Sequence, residues 1–157
     1  MKKLLSISIF ILVITHIIGQ EYTVIKDVEE IEKHKYVLER EYPLSFDSLK
    51  IHAVYKIDDK HSKITYSEKG VYSEVTVNSA KKDLLIIAKA VEIPNENVPK
   101  VVMDGLKESK YGDWEIDKTF KVRKPFTGWF YGIDVSKNDE YLRVYYDELG
   151  QYQQAPY

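Results

Sequence analysis

The chain has 157 residues, 44% of them hydrophobic and 31% charged, with a formal net charge of −2. That size and balance suit one globular domain with its own core, and without a basic excess nothing points to nucleic acid as a partner. It contains no Cys, which excludes disulfides, thiolate catalysis, Cys-ligated zinc and lipidation at a cleavage-site Cys.

The chain opens "MKKLLSISIFILVITHIIGQEY". Lys2 and Lys3 precede a mostly apolar run from Leu4 to Ile18, and the small residue Gly19 follows, the layout of a secretory signal peptide. The run is shorter than the ~20 residues a spanning helix needs. Residues 1–19 are therefore expected to be a bacterial signal peptide rather than a stable membrane anchor. Cleavage falls between Gly19 and Gln20 or just after Gln20. Residues 20–157 then form a single periplasmic or secreted domain.

"DVEEIEKHKYVLEREYP" predicts a helix. Asp27 and Glu30 have capping-box spacing, Glu29 and Lys33 form an i,i+4 pair, and Pro43 ends it. Val28, Ile31, Leu38 and Tyr42 fall near one face. From Leu49 the period becomes two, placing Leu49, Ile51, Ala53, Tyr55 and Ile57 on one side of a strand. "KITYS" and "VYSEVTVN" follow across tight turns, with Val71, Ser73, Val75 and Val77 sharing a side. "LLIIAKAVEI" is apolar on both sides, as in a central or doubly covered strand. Pro94 breaks it. Asn97 is placed to cap a second helix, "VPKVVMDGLKESK", with Val98, Val101, Val102 and Leu106 on one face. Gly105 costs that helix about 1 kcal/mol in propensity, which close approach of helix to sheet explains. "WEIDKTFKV", "GWFYGIDVS" and "EYLRVYYDE" are three further strands, and "QYQQAPY" reads as a frayed tail.

The order helix, four strands, helix, three strands repeats one theme over residues 28–93 and 94–152. The fold class expected is α+β: two helix-plus-antiparallel-sheet units in tandem, forming one curved sheet with helices on one face.

Element order and three stretches together resemble the PepSY-like domains of exported bacterial proteins, which relate to the β-lactamase inhibitor protein fold. The stretches are "EIPNENVPKVVMDGLKESKYGDWEI", "FYGIDV" and "LRVYYDELGQY", the last with its acidic-then-Gly turn at Asp147 and Gly150. The resemblance covers about Leu49 to Tyr152. The charged first helix and the link "PLSFDS" depart from the family pattern. The resemblance implies a non-enzymatic module that binds or inhibits other exported proteins, often proteases.

Alternation assigns the rings of the last two strands. Trp129, Tyr131, Ile133 and Val135 should lie under the helix, as should Leu142, Val144 and Tyr146. Phe130, Tyr141, Arg143 and Tyr145 should stand on the open face. Rings around an Arg have the composition of an interface centre. They are the candidate protein-binding residues, for an exported or envelope protein such as a protease. Plain cross-strand pairing and burial in a homodimer are the competing accounts. The 13 Tyr serve strands and interfaces equally. A different class of reading is a periplasmic carrier of a small apolar ligand, in a cavity lined by Trp129, Tyr131 and Ile86.

No cofactor or metal site is expected. His34, His52 and His61 sit in separate elements without ligand spacing and read as surface residues. Asp134, Ser136, Asn138, Asp139 and Glu140 lack the Gly of a calcium loop and read as a polar turn. Neither a nucleophile elbow nor a phosphate loop occurs.

Overall fold

The computed structural model describes residues 22–80 and 83–155. The expected signal peptide lies outside the described residues. No helix among the described residues is long and apolar enough to cross a membrane.

The architecture is α+β, as expected. Helix α1 spans Val28–Glu41 and helix α2 spans Lys100–Glu108. The strands are β1 (Thr23–Val24), β2 (Lys50–Lys56), β3 (His61–Glu68), β4 (Val71–Asn78), β5 (Leu85–Ile93), β6 (Glu115–Lys124), β7 (Gly128–Lys137), β8 (Glu140–Asp147) and β9 (Tyr152–Gln153). They form one antiparallel sheet in which each strand bonds its neighbours in sequence, from β1 at one edge to β9 at the other. Two hairpins close through two-residue turns with positive φ at both positions, Lys69–Gly70 and Asn138–Asp139. That twist matches the strands it joins, and the second turn accounts for the polar run after Asp134.

Each helix covers its own part of the sheet. Val37 and Leu38 of α1 pack on Val54, Ile64, Tyr66, Val75 and Val77. Val102 and Leu106 of α2, with Val98 ahead of it, pack on Tyr131, Ile133, Val135, Val144 and Tyr146. The Asp27 side chain caps α1 by accepting from the Glu30 N–H at 2.8 Å. Val28 is exposed, so the buried stripe begins at Ile31. It passes through His34, which is fully buried and not a surface residue. His34 Nδ1 donates to the Glu30 carbonyl at 2.7 Å, and Nε2 lies 2.6 Å from Ser62 Oγ on β3. With Nδ1 committed as donor, Nε2 accepts from the hydroxyl. Two good partners make this imidazole acceptable in a core.

Other local expectations are corrected. Asn97 does not cap α2: it ends a short 3-10 turn, and Pro99 stands at the N-cap without a side-chain bond. Pro pre-sets the backbone there and has no N–H to satisfy. Residues 152 and 153 are not a frayed tail, because they pair with Tyr146 and Tyr145 as β9. Gly105 faces the turn after β8 rather than the sheet itself: a Cβ there would sit 2.2 Å from the Gly150 carbonyl oxygen.

Three bulges break strand alternation. Ile51 and Ala53 face consecutive partners on β3, so His52 is the extra residue. Ile87 in β5 and Asp117 in β6 are extra in the same way. The first bulge overturns the expected single row on β2. Leu49 and Ile51 join the α1 core, but after His52 it is Val54, not Ala53 or Tyr55, that continues it. Bulges also strengthen twist and bend the strand that carries them.

Candidate functional site

The face away from the helices is not an open plane. Arg143 on β8 meets Glu74 on β4 across three intervening strands. On a flat sheet those strands would be about 19 Å apart, more than two side chains and a hydrogen bond span. The sheet therefore curls, with this face on the inside. Ala88, Ala90 and Gly132 supply the room. A Cβ on Gly132 would lie 3.2 Å from Arg143 Cδ and 3.3 Å from Tyr145. Ala88, Ala90, Phe120, Val122 and Tyr145 form a third buried cluster here, with Phe130 and Tyr72 partly buried against it.

A charge-balanced network lies in this concavity. Arg143 donates to Glu74 through Nη1 at 2.6 Å and Nη2 at 3.1 Å, and to its cross-strand partner Asp134 through Nη2 at 2.9 Å. Its guanidinium sits 3.9 Å from the Phe120 ring centroid. Lys63 Nζ lies 3.1 Å from Glu74 Oε2 and 4.4 Å from the Tyr22 ring centroid. Two cations thus face two carboxylates. Burial alone would raise the Glu74 pKa, but the Arg143 and Lys63 charges overcome it and hold it at about 2. A bidentate Arg–carboxylate pair of this kind is rigid as well as strong.

The four candidate binding residues fall on the expected side of the sheet but not all in water. Tyr141 is 65% exposed, whereas Tyr145 is 6% exposed and belongs to the buried cluster. Arg143 keeps only 10% of its side-chain surface. Phe130 is half-buried. Arg143 and Tyr145 are sealed because the curl folds their face inward. Elsewhere on the sheet His52 of β2 stacks on Tyr72 of β4, ring centroids 6.0 Å apart, and Lys118 Nζ lies 4.6 Å from the Tyr72 ring. Sequence reading missed Tyr72, His52 and Glu74. The only signal was an acidic residue and a ring alternating with the valines of β4.

Trp129 corrects the expected core. It shares a face with Tyr131 but is 39% exposed. Helix α2 is about 13 Å long, and the row from Trp129 to Val135 runs about 20 Å, so its cover stops at Tyr131. Trp129 rests instead beside Lys121 and Arg123. Among the described residues Trp129, Tyr131 and Ile86 do not line one common cavity as expected: Tyr131 packs in the α2 cluster and Ile86 against the α1 cluster. No group of His, Asp and Glu among the described residues is arranged to hold a metal ion.

No family model and no curated protein matches the chain. Solved structures do. A protein of Bacteroides eggerthii, whose name gives it provisionally as periplasmic, matches with a TM-score of 0.56 and 15% identity, covering 78% of this chain and 85% of that one. A DUF2874 family protein of Bacteroides ovatus matches with a TM-score of 0.53 and 14% identity, over 78% and 83%. A BLIP-like protein of Bacteroides fragilis matches with a TM-score of 0.49 and 17% identity, over 78% and 82%. The first two likenesses show a shared fold and nothing of activity; the PepSY family as such is not among what they carry.

Proposed function

We propose that the chain is an exported, non-enzymatic protein-binding module that contacts its partner through the rim of the concave sheet face. The observation that carries this is the contrast within β8: Tyr141 stands 65% exposed, two residues from an Arg143 locked to two carboxylates. An exposed ring on a rigid, charge-neutral floor loses little entropy on docking, which favours binding. Tyr141 and Phe130 make the contact. Arg143 and Tyr145 hold the strand beneath them. The signal-like opening, the PepSY-like stretches and the provisionally periplasmic neighbour support an envelope partner. Occlusion of an envelope enzyme, a protease among them, is the sharper form.

The test is comparative capture. Wild-type chain and Tyr141→Ala, both immobilised, are exposed to envelope extract, and any protein held by the first alone is identified and assayed with each. Loss of capture with the fold intact supports the rim. The same proteins held by both would remove Tyr141 from the interface, and a captured enzyme whose activity is unchanged would remove inhibition.

A further inference from the structure

A second surface lies on the opposite side of the sheet, in the gap that the two helices leave uncovered. Its floor is the middle of the sheet, where Val91 and Trp129 are exposed. Beside them opens a cleft of about 370 Å³, with Leu85 and Ile86 in its lining and walls formed by Arg40 and Glu41 at the end of α1 and by Pro125 in the β6–β7 turn. Lys89 and Arg123 line it. Lys121 stands beside it, its Nζ 4.5 Å from the Trp129 ring centroid, with the Arg123 guanidinium 5.7 Å from the same ring.

The charges here do not serve the sheet. Lys89 and Arg123 are directly opposed across β5 and β6, and like charges in that position destabilise a strand pair. Glu41 pairs with Lys89. Arg40 donates to the Leu84 carbonyl at 3.2 Å. Among the described residues no carboxylate forms an ion pair with Lys121 or Arg123; both stand against the Trp129 indole. Four cations therefore stand against one carboxylate, on a chain whose formal net charge is −2. The adjoining turn holds Phe126 fully exposed at φ 68°, a conformation that bulky side chains seldom take.

We infer that this cleft binds an acidic, partly apolar segment of another polypeptide. Charge complementarity sets the sign of the ligand. Its extent sets the kind: the cations run from the end of α1 across β5 and β6 to the ring on β7, roughly 10–15 Å at the spacing of strands, too far for one small anion to bridge. Leu85 and Ile86 in the cleft, with Val91 and Trp129 exposed beside it, offer apolar contact, and the cation-bearing ring adds an anchor of the type enriched at interfaces. The recess between helix end and hairpin suits a chain better than the flat surface of a bilayer. This site is separate from the concave rim and does not depend on it.

The probe is a short synthetic peptide of Glu-Leu-Gly repeats, titrated into the full exported chain by calorimetry and followed in parallel by tryptophan fluorescence. Saturable binding is expected, weakening as salt is raised. The double variant Lys121→Gln, Arg123→Gln should weaken it by about tenfold or more, with a melting temperature equal to or above that of wild type because an opposed pair of cations is relieved. Tyr141→Ala should bind the peptide as wild type does, so this inference and the rim reading fail separately. Unchanged affinity in the double variant, or equal binding of a Lys-Leu-Gly peptide, overturns the inference. So does association with phosphatidylglycerol vesicles, or a dimer abolished by the double variant, where the acidic peptide itself does not bind.

Discussion

Arg143 and Glu74 join strands that are not neighbours, through hydrogen bonds of 2.6 and 3.1 Å, and so fix how tightly the sheet is curled. Removing the carboxylate charge leaves Lys63 without a carboxylate partner and Arg143 with Asp134 alone. Glu74→Gln is expected to destabilise the fold by about 3–5 kcal/mol, the usual cost of breaking a buried pair from one side. Urea unfolding followed by circular dichroism measures it.

Acid should act through the same residue. The Glu74 pKa is about 2 in the fold against an ordinary 4.5. A depressed folded value means that the stabilisation is complete above about 4.5 and is lost as pH falls toward 2. The difference amounts to roughly 3 kcal/mol. Urea midpoints taken from pH 6 downward should fall across that window in wild type, and by visibly less in Glu74→Gln.

Gly105→Ala sets two effects in opposition. Helix propensity favours Ala by about 1 kcal/mol. The new Cβ, however, would lie 2.2 Å from a backbone oxygen of Gly150, and backbone cannot step aside as a side chain can. Net destabilisation of about 2 kcal/mol or more is expected, read as a lowered thermal midpoint. A rise instead would show that the β8–β9 turn yields freely.

His34 ties α1 to β3. Its loss in His34→Ala would leave the Ser62 hydroxyl buried without its partner and open a cavity beside Leu38. The expected cost is about 2–4 kcal/mol, again by urea unfolding.

Tyr141 and Tyr145 lie four residues apart on one face of β8 and should behave oppositely. Tyr141→Ala should shift stability by no more than about 0.5 kcal/mol. Tyr145→Ala should cost about 3–5 kcal/mol by emptying the concave cluster. Paired thermal melts decide this, and they also show which of the two is usable in binding experiments.

Much of the fold was legible in local pattern. The Asp27 cap, the two polar turns and the phase of Tyr131, Ile133, Val135, Leu142, Val144 and Tyr146 follow from spacing that each segment carries itself. The misread positions have non-local causes. A single inserted residue such as His52 reverses every side chain after it, and alternation counted on a single strand does not reveal it. The same rule gave Trp129 its face, but cover depended on where α2 ends. Arg143 reads as an interface residue until Glu74, 69 positions earlier, is brought beside it. The two-residue strands β1 and β9 exist only through their partners, being too short to show any period.

The sequential strand order carries a kinetic consequence. Each strand bonds only its neighbours along the chain, so hairpins can zip together at small loop-closure cost, a low-contact-order route. The Arg143–Glu74 contact is of another kind, since it needs β5, β6 and β7 already in register. Formed after the rate-limiting barrier, it would leave the refolding rate of Glu74→Gln almost unchanged while speeding its unfolding. The curl of the sheet would then act as a latch on the finished molecule rather than as a guide to its assembly.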